Sequence, residues 1–387
     1  MSSGDIKIGL IGSGQICRVG HGPAIAADGR ARVVAICDPD VENRTRFAKQ
    51  FNVPGIYTDH REMLARETLD AVVVASPPWL HAGHVADVAA AGLPLLCEKP
   101  MATTPEDCRR IVDIAGTAGI YIQMCHNKRF EYGFQRVKEL LAAQSIGRVF
   151  LVSIDWHCYV PDYDHGWMKT GLSLIKKIGV NPEKTYGAWR IKDDRAGGGI
   201  FFDDGPHYID LLRFFFGELE AISCEIRQCL PNRVADDLAA ATLTFKNGTV
   251  AVLQRSLIAM GYPFGTERGF MYGEKGKIKF DVPPPHKQKR VKVGLYKLPN
   301  FFIGNYLPAV LPYGRTKTGY FRQMRYFIDH LTGQHTLPHK FEGPWAAKPE
   351  DAFAAIAWTL AGYRSAREGI KVSLPVSTTT DQAKGTA

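Results

Sequence analysis

A lysine that directly follows an apolar segment is the first residue of this sequence whose type and place suggest chemistry. Cys97-Glu98-Lys99-Pro100 comes after the apolar residues 93–96. In an open parallel sheet, ligands bind outside the carboxyl ends of the strands, so Lys99 would face that crevice. Taken alone, the tetrapeptide is more typical of a solvent-exposed turn, and only its context favours a binding role.

A second candidate pair combines an acid and a histidine at helical spacing. Asp203 and His207 are four residues apart, so a helix that starts near Gly205 would turn both to one side. An unperturbed histidine titrates near neutrality and can accept a hydroxyl proton. The alternative is a structural histidine at a helix start, and we expect the neighbouring Asp204 to be an N-cap or a backbone acceptor.

The start of the chain predicts an element that binds a dinucleotide. The apolar residues 6–11 run directly into Gly12-Ser13-Gly14-Gln15-Ile16-Cys17, and a helical pattern follows. Gly12 allows a tight turn, and Gly14 lets backbone N–H groups and the helix dipole approach a pyrophosphate. Cys17 stands where Gly or Ala is usual, so we expect a slightly wider gap between helix and strand.

The second predicted strand ends in Asp38. This offset suits a carboxylate that accepts hydrogen bonds from the adenosine ribose hydroxyls and repels a 2′-phosphate, which favours NAD over NADP. Asp38 could instead be a helix N-cap, because a proline and Asp40 follow it. Arg44 or Arg46, about one turn later, could still reach a phosphate.

Strands and helices alternate through the first third of the chain, which predicts a doubly wound parallel sheet. The predicted strands are residues 6–11, 32–37, 69–75, 93–97 and 120–125, with a helix over residues 104–118. His81 and His84 lie on a helix after the third strand, where the lack of an acidic or cysteine partner argues against a metal site. We therefore assign residues 1–126 to a Rossmann domain.

Residues 127–387 predict an α+β domain with an open, mostly antiparallel sheet. The strand-like segments are residues 148–156, 221–230, 239–245, 249–256, 269–272 and 277–280. Asn247-Gly248 is a strong hairpin signal, and residues 351–368 predict an amphipathic helix. Two long segments, 157–195 and 283–320, are rich in aromatic residues, which suit either sugar rings or a subunit interface.

Composition and charge limit the class of protein. The 387 residues are 45% hydrophobic and 22% charged, as in a folded chain of two domains. Eight cysteines without a CxxC pair, no signal peptide and no long apolar span predict a cytoplasmic protein with reduced thiols and no membrane contact.

The excess positive charge belongs to the second domain. Residues 1–126 carry 12 basic and 14 acidic residues, whereas residues 127–387 carry 36 and 25. The basic segment between Lys275 and Lys297 is most simply a solvated face, although an anionic substrate or a nucleic acid would also fit. Since the chain has no nucleic-acid-binding motif, we expect no nucleic-acid partner.

These residues together resemble the glucose-fructose oxidoreductase and inositol dehydrogenase family (Gfo/Idh/MocA). The resemblance spans nearly the whole chain. It rests on the glycine turn, Pro77 with His81, Glu98-Lys99-Pro100, Asn127 with Arg129-Phe130, Ile146-Gly147-Arg148-Val149, and the segment from Gly197 to His207 with Asp210. By this resemblance Lys99, Asp203 and His207 form the catalytic trio.

The resemblance also implies which residues contact cofactor and substrate. We expect cofactor contacts from Gly12, Gly14, Gln15, Ile16, Asp38, Ser76, Pro77, His81, Glu98, Lys99 and Asn127. Substrate contacts are expected from Lys99, Arg129, Trp167, Asp203 and His207. The open sheet of such proteins joins subunits, so a homodimer or homotetramer is implied.

The predicted activity is NAD-dependent oxidation of a secondary hydroxyl of a sugar, glycoside or cyclitol. In this scheme His207 accepts the hydroxyl proton, Lys99 stabilises the developing alkoxide, and Asp203 orients the hydroxyl or the imidazole. One alternative is redox-neutral glycoside cleavage through a transient keto-sugar, which needs the same trio. A second is a dinucleotide-binding sensor without activity, which would have no use for an acid-base set.

Overall fold

The chain divides into two units, each with its own sheet. The computed structural model describes residues 5–157, 193–230, 235–258, 266–282, 292–297, 319–337 and 345–374. The first unit comprises Met1–Glu131 and Tyr313–Ile356, and the second comprises Tyr132–Pro312 and Ala357–Ala387. The sequence predicts a single boundary at residue 126, which stays a prediction for the domains.

A six-stranded parallel sheet forms the centre of the first unit. Its strands are β1 Ile6–Ile11, β2 Ala31–Cys37, β3 Gly55–Tyr57, β4 Ala71–Val74, β5 Leu95–Cys97 and β6 Ile122–Met124. The order β3-β2-β1-β4-β5-β6 reverses direction between β1 and β4, which confirms the predicted doubly wound sheet. Ligands of such sheets bind at this reversal, outside the carboxyl ends of the strands.

Helices cover the first sheet. A π-helix, Cys17–His21, runs into α1 Gly22–Asp28; the other helices of this part are α2 Val41–Phe51, α3 His60–Arg66, α4 His81–Ala90 and α5 Pro105–Thr117. Short 3₁₀ turns are Pro78–Leu80 and Asn127–Phe130. Helix α5 starts one residue after the predicted Thr104, because the Thr104 hydroxyl caps it by accepting the Asp107 N–H.

A helix from late in the chain completes the core of the first unit. Its bounds are Gly319–Thr332. Met324, Phe327 and Ile328 are fully buried and belong to the same apolar cluster as Ile8 and Leu10 of β1. Their spacing is that of one helical face, whereas the sequence predicts a long loop that extends to residue 320.

The second unit contains a mixed sheet of seven strands. These are β7 Val149–His157, β8 Leu219–Arg227, β9 Leu238–Phe245, β10 Val250–Ser256, β11 Thr266–Gly273, β12 Gly276–Val282 and β13 Lys292–Lys297, in the order β13-β12-β11-β7-β10-β9-β8. Only the β7–β10 pair among these is parallel, so the predicted mostly antiparallel sheet is confirmed. Strand β13 falls within the basic segment and was not predicted.

Three more helices of the described residues belong wholly or partly to the second unit. They are α6 Tyr132–Ala142, α7 Ile200–Phe216 and the C-terminal half of α9 Pro349–Glu368. The helix Gly319–Thr332 of the first unit is α8.

The predicted β9–β10 hairpin is confirmed: Gly248 has φ +85° and its N–H donates to Phe245 O. None of the helices within the described residues is both long and apolar enough to cross a membrane.

Candidate functional site

The glycine turn after β1 is shaped by contact with the strand next to it. Gly12 has φ +94°, and a Cβ there would lie 2.6 Å from the carbonyl oxygen of Ala75. The Cys17 thiol fills the third position and donates to Gly12 O at 3.1 Å. Gly12 therefore cannot carry a side chain, while Cys17 is accommodated as a buried contact between helix and turn.

Gly14 lies in a different environment from Gly12. A Cβ built on Gly14 meets no described atom within 4 Å, and helical backbone begins at the next residue, Gln15. Open space in front of a helix start, with N–H groups pointing toward it, is what a pyrophosphate requires. The predicted cofactor contacts of Gly14, Gln15 and Ile16 remain predictions, and this geometry is compatible with them.

Asp38 connects the ends of β1 and β2. Its Oδ2 accepts the N–H and the hydroxyl of Ser13 at 2.7 and 2.8 Å, and its Oδ1 accepts the N–H of Asp40 at 2.9 Å. The N-cap of α2 is Asp40, which accepts the Asn43 N–H, so Asp38 is not the helix cap. Oδ1 keeps a second lone pair, enough for one ribose hydroxyl.

The two arginines that could have reached a 2′-phosphate are engaged elsewhere. The Arg44 guanidinium donates to the carbonyl oxygens of Asp38 and Pro39 at 3.0 and 2.8 Å. Arg46 pairs with Glu42 on the surface of α2 at 2.5 Å. At this edge of the sheet Asp38 therefore presents a carboxylate, while Arg44 and Arg46 are held by other groups of the first unit.

His81 lies behind the predicted cofactor contacts. The ring is fully buried. Its Nδ1 faces the carbonyl oxygens of Pro100 and Met101 at 3.0 and 3.2 Å, and its Nε2 faces Ser76 O at 2.8 Å. Both ring nitrogens face only backbone carbonyl oxygens, and because burial lowers the pKa of His81 the neutral ring donates its single N–H to one side. The predicted cofactor contact of His81 would therefore act through the Ser76 segment. His84 hydrogen-bonds the Ser76 hydroxyl at 2.8 Å.

Lys99 is placed by the end of β5. The Glu98 N–H donates to Val74 O at 2.8 Å and so extends the β4–β5 pairing by one residue. Lys99 follows with a partly exposed side chain, and the Lys99–Pro100 peptide bond is cis. The residue therefore stands at the carboxyl-end edge of the sheet, as the sequence predicted, on the same edge as the Gly12 turn.

The segment after β6 carries two further predicted contacts. Asn127 opens a 3₁₀ turn, and its buried Oδ1 accepts no hydrogen bond from any described residue. Such an orphaned acceptor is compatible with a ligand donor. Arg129 is only 4% exposed and pairs with Asp351 at 3.3 Å, so its predicted substrate contact would compete with this ion pair.

Helix α7 carries Asp203 and His207 on the second unit. The helix begins at Ile200, five residues before the predicted start. Both side chains therefore lie within regular helix, and four residues of separation place them on the same side. His207 is 7% exposed and Asp203 is partly exposed.

The start of α7 is anchored by a residue that sequence analysis missed. The Asp236 carboxylate accepts the N–H groups of Gly199 and Phe201 at 2.7 and 2.9 Å and the hydroxyl of Tyr363 at 2.5 Å. Its backbone carbonyl accepts the Ile200 N–H at 3.0 Å. An acid from another part of the chain thus satisfies helix-start N–H groups that usually receive a local cap.

Asp204 is neither an N-cap nor a backbone acceptor, contrary to expectation. It lies inside α7, and its Oδ2 is 2.8 Å from Nε of Arg255, which is 1% exposed on β10. The Arg255 guanidinium also lies 3.9 Å over the ring of Tyr208. Burial lowers the pKa of Arg255, whereas Asp204 and Asp155 oppose that shift. The opposite charges of Asp204 and Arg255 therefore lie together where α7 faces β10.

Several predicted features fall outside the described residues. Trp167 belongs to the undescribed part of the aromatic segment 157–195, and most of segment 283–320 is likewise undescribed. Among the described basic residues, Lys279 pairs with Asp281 at 3.1 Å and Lys277 lies 5.0 Å over the ring of Tyr296. Both lysines are partly exposed, and a solvated face stays a prediction for this segment.

Comparison with known families finds two matches that together span most of the chain. Residues 6–126 match the model of the GFO_IDH_MocA oxidoreductase family with an NAD-binding Rossmann fold. Residues 134–279 match the model of the GFO/IDH/MocA C-terminal domain.

Individual relatives are more distant. Inositol 2-dehydrogenase of Gluconacetobacter diazotrophicus is 35% identical over 149 residues, which cover 38% of this chain and 44% of that protein. D-glucoside 3-dehydrogenase of Escherichia coli is 26% identical over 219 residues, or 56% of either chain. The crystal structure of the WlbA dehydrogenase from Bordetella pertussis with NADH and UDP-GlcNAcA superposes with a TM-score of 0.75 at 24% identity, covering 96% of this chain and 100% of that one. This last likeness concerns the fold.

Proposed function

Because the chain belongs to the Gfo/Idh/MocA family of NAD-binding oxidoreductases, we propose that it oxidises a secondary hydroxyl of a sugar, glycoside or cyclitol by hydride transfer to NAD. The observation that carries the proposal is the position of Lys99. It follows β5 at the carboxyl-end edge of a doubly wound sheet, where the Gly12 turn follows β1. A lysine at this edge is placed to contact a ligand bound in the crevice outside the strand ends.

The first unit offers a cradle that fits the cofactor. Gly12 has a left-handed backbone, Gly14 faces open space, and Asp38 keeps one lone pair. Asn127 adds an acceptor without a donor among the described residues. Bound NAD would supply the hydride acceptor, its nicotinamide ring. The protein's part is to hold the two phosphates at the helix start and the ribose at Asp38.

The chemical step is assigned to three side chains. His207 accepts the proton of the substrate hydroxyl, since a neutral imidazole is the base best suited to neutral pH. Lys99 hydrogen-bonds the same oxygen and stabilises the alkoxide that forms as the hydride leaves carbon. Asp203, one helical turn before His207, orients the hydroxyl or the imidazole.

Cofactor choice is proposed to favour NAD over NADP. A 2′-phosphate would meet the carboxylate of Asp38, and the guanidinium groups of Arg44 and Arg46 already hold other partners. Recruiting Arg44 would break its bonds to two carbonyl oxygens. The free energy of binding should therefore be more favourable for NAD.

Substrate class and assembly are proposed on different grounds. The names of the inositol and glucoside dehydrogenases suggest polyhydroxylated rings. On the second sheet, Leu151 of β7 and Tyr272 of β11 are each 39% exposed, and the two residues pair directly. An apolar patch of this kind favours a homodimer or homotetramer, which light scattering would test.

Seven cysteines of the described residues are free thiols, in keeping with the predicted cytoplasmic location.

The decisive experiment mixes purified protein with NAD and a panel of free sugars, glycosides and inositols. Absorbance of reduced nicotinamide and product identity are followed together. Reduced cofactor in stoichiometric amount with a keto product is the expected result. Product without accumulation of reduced cofactor would replace the dehydrogenase with redox-neutral cleavage, and no change in any carbohydrate would favour the sensor.

Variants then test the assigned residues on the active substrate. Lys99→Ala and His207→Ala should each lower kcat by about a hundredfold or more while NAD still binds. Lys49→Ala, on the last turn of α2, is the matched control and should be fully active. Turnover near the wild-type rate in either site variant would exclude the proposed step.

A further inference from the structure

The turn that carries Lys99 is held from behind by a buried pair that joins distant parts of the first unit. His21 Nε2 lies 2.8 Å from Glu98 Oε1, across 77 residues of sequence. His21 is 1% exposed and Glu98 is 4% exposed. A buried carboxylate is stable only when its oxygens are bonded, so this contact fixes the position of the Glu98 side chain.

The other oxygen of the same carboxylate reaches Lys99. Glu98 Oε2 accepts the backbone N–H of Lys99 at 3.0 Å. The Glu98 backbone is meanwhile fixed by its own bond to Val74 O. The carboxylate is thus a link between His21 on one side and the Lys99 backbone on the other. Rotation of this carboxylate would release the N–H that orients the Lys99 residue.

His21 reaches Glu98 because the first helix contains a widened turn. The Gly22 N–H donates to Cys17 O, which closes a π-helical turn. Gly20 fits against the ring of Tyr320, since a Cβ there would lie 3.2 Å from the ring. The same ring packs edge-on against His21 at 5.5 Å between centroids. Single π turns inside helices are frequent at functional sites.

Electrostatics support a charged carboxylate in this pocket. Burial alone would raise the pKa of Glu98, but the hydrogen bond and charge of His21, with the charge of Lys99, bring the pKa below its usual value. Burial and the Glu98 charge raise the pKa of the Cys125 thiol well above its usual value. The nearest ligand atoms of His21, Glu98 and Cys125 lie within 4.8 Å of one another. The direct contact between His21 and Glu98 shows that these side chains can form a hydrogen-bonded cluster without a metal ion.

We propose that His21 is a positioning residue for Lys99, acting through Glu98. It does not touch the substrate. It holds the Glu98 carboxylate in the one orientation that also binds the Lys99 N–H, and so fixes where the Lys99 amine stands. The catalytic meaning of this role rests on the proposed function of Lys99, but the placement of the amine can be measured without it.

The test uses variants that differ in the reach of their donor. His21→Gln places an amide nitrogen near the position of Nε2 and should keep the bond to Glu98, whereas His21→Asn is too short. His60→Asn is the matched control, because His60 Nε2 forms a similar pair with Asp87 at 2.7 Å. All three are compared by circular dichroism to establish that they are folded.

The first readout needs neither cofactor nor substrate. Trace acetylation followed by mass spectrometry gives the reactivity of the Lys99 amine against pH. His21→Asn should change this reactivity by about fivefold or more, as expected for an amine moved within its pocket, with Lys49 as the internal standard. His21→Gln and His60→Asn should match the wild type within about twofold. Equal Lys99 reactivity in all four folded proteins would overturn the proposal.

The second readout uses the substrate found by the carbohydrate panel. His21→Asn should lower kcat by about tenfold with little change in KM, since displacement of a catalytic group by a fraction of an ångström has effects of this order, and His21→Gln should restore it. If Lys99 reactivity changes but no carbohydrate is turned over, the positioning role of His21 is supported and the proposed dehydrogenase activity is rejected. If the purified wild-type protein contains zinc or iron in stoichiometric amount and His21→Asn does not, the cluster is a metal centre and the positioning role is overturned.

Discussion

Substitution of Asp236 should destabilise the start of α7 more than any other single substitution there. Asp236→Ala removes the acceptor of the Gly199 and Phe201 N–H groups and of the Tyr363 hydroxyl. Asp236 is 8% exposed, so water replaces these bonds poorly. Each buried donor left without an acceptor costs about 1–3 kcal/mol. The Gly199 N–H keeps the Tyr363 hydroxyl as an acceptor at 3.3 Å, which leaves two donors without an acceptor. We therefore expect the free energy of unfolding to fall by about 2–6 kcal/mol.

The assay is urea unfolding followed by tryptophan fluorescence and circular dichroism. Asp236→Asn keeps one acceptor oxygen and should lose about half as much stability. Asp193→Asn is the matched control: Asp193 caps a short 3₁₀ turn on the surface, where solvent replaces the lost bond, so its midpoint should barely move. The carbohydrate assay should show a loss of kcat in Asp236→Asn, because α7 carries Asp203 and His207.

The result that would refute this reasoning is quantitative. A loss below about 1 kcal/mol for Asp236→Ala, no larger than an ordinary surface cap, would mean that the α7 start does not depend on Asp236. Equal effects of Asp236→Asn and Asp193→Asn would lead to the same conclusion.

Three further predictions follow from the first unit and from Gly199. Gly199→Ala should unfold at a much lower temperature than the wild type, because the new Cβ would lie 1.9 Å from Asp236 O. Gly14→Ala should unfold at the wild-type temperature but bind NADH about tenfold more weakly in a fluorescence titration. A wild-type unfolding temperature in both variants would contradict this prediction. Asp38→Ser should reduce the ratio of NAD to NADP affinity by about tenfold in the same titration, and an unchanged ratio would reject the ribose assignment. The pKa of Glu98 is lowered in the folded state from its usual 4.5, so its ionisation stabilises the fold above pH 4.5 and this stabilisation is lost as pH falls through the lowered value. The stability gap between wild type and Glu98→Gln should therefore narrow in urea titrations from pH 6 to pH 3, and a constant gap would exclude this linkage.

Several features followed from local sequence patterns. The Gly12 turn, the alternation of strands and helices in the first 126 residues and the β9–β10 hairpin all depend on residues close together in sequence, where periodicity and turn chemistry act. The short strand β3, Gly55–Tyr57, was not predicted. The four-residue spacing of Asp203 and His207 is equally local. The predicted start of α7 was five residues late, because its anchor is not local.

Other features were decided by tertiary structure. Asp236 and Gly199 are 37 residues apart, and His21 and Glu98 are 77 apart. No local pattern marks such pairs, since each is formed by chain topology that brings separate turns together. The same holds for α8, whose buried face is recognisable by period but whose place in the first unit is set by the core it completes. The sequence by itself therefore determined which residues could do chemistry, and the tertiary structure decided what holds them in position, because the bonds that position them join residues whose distance is set only by the fold.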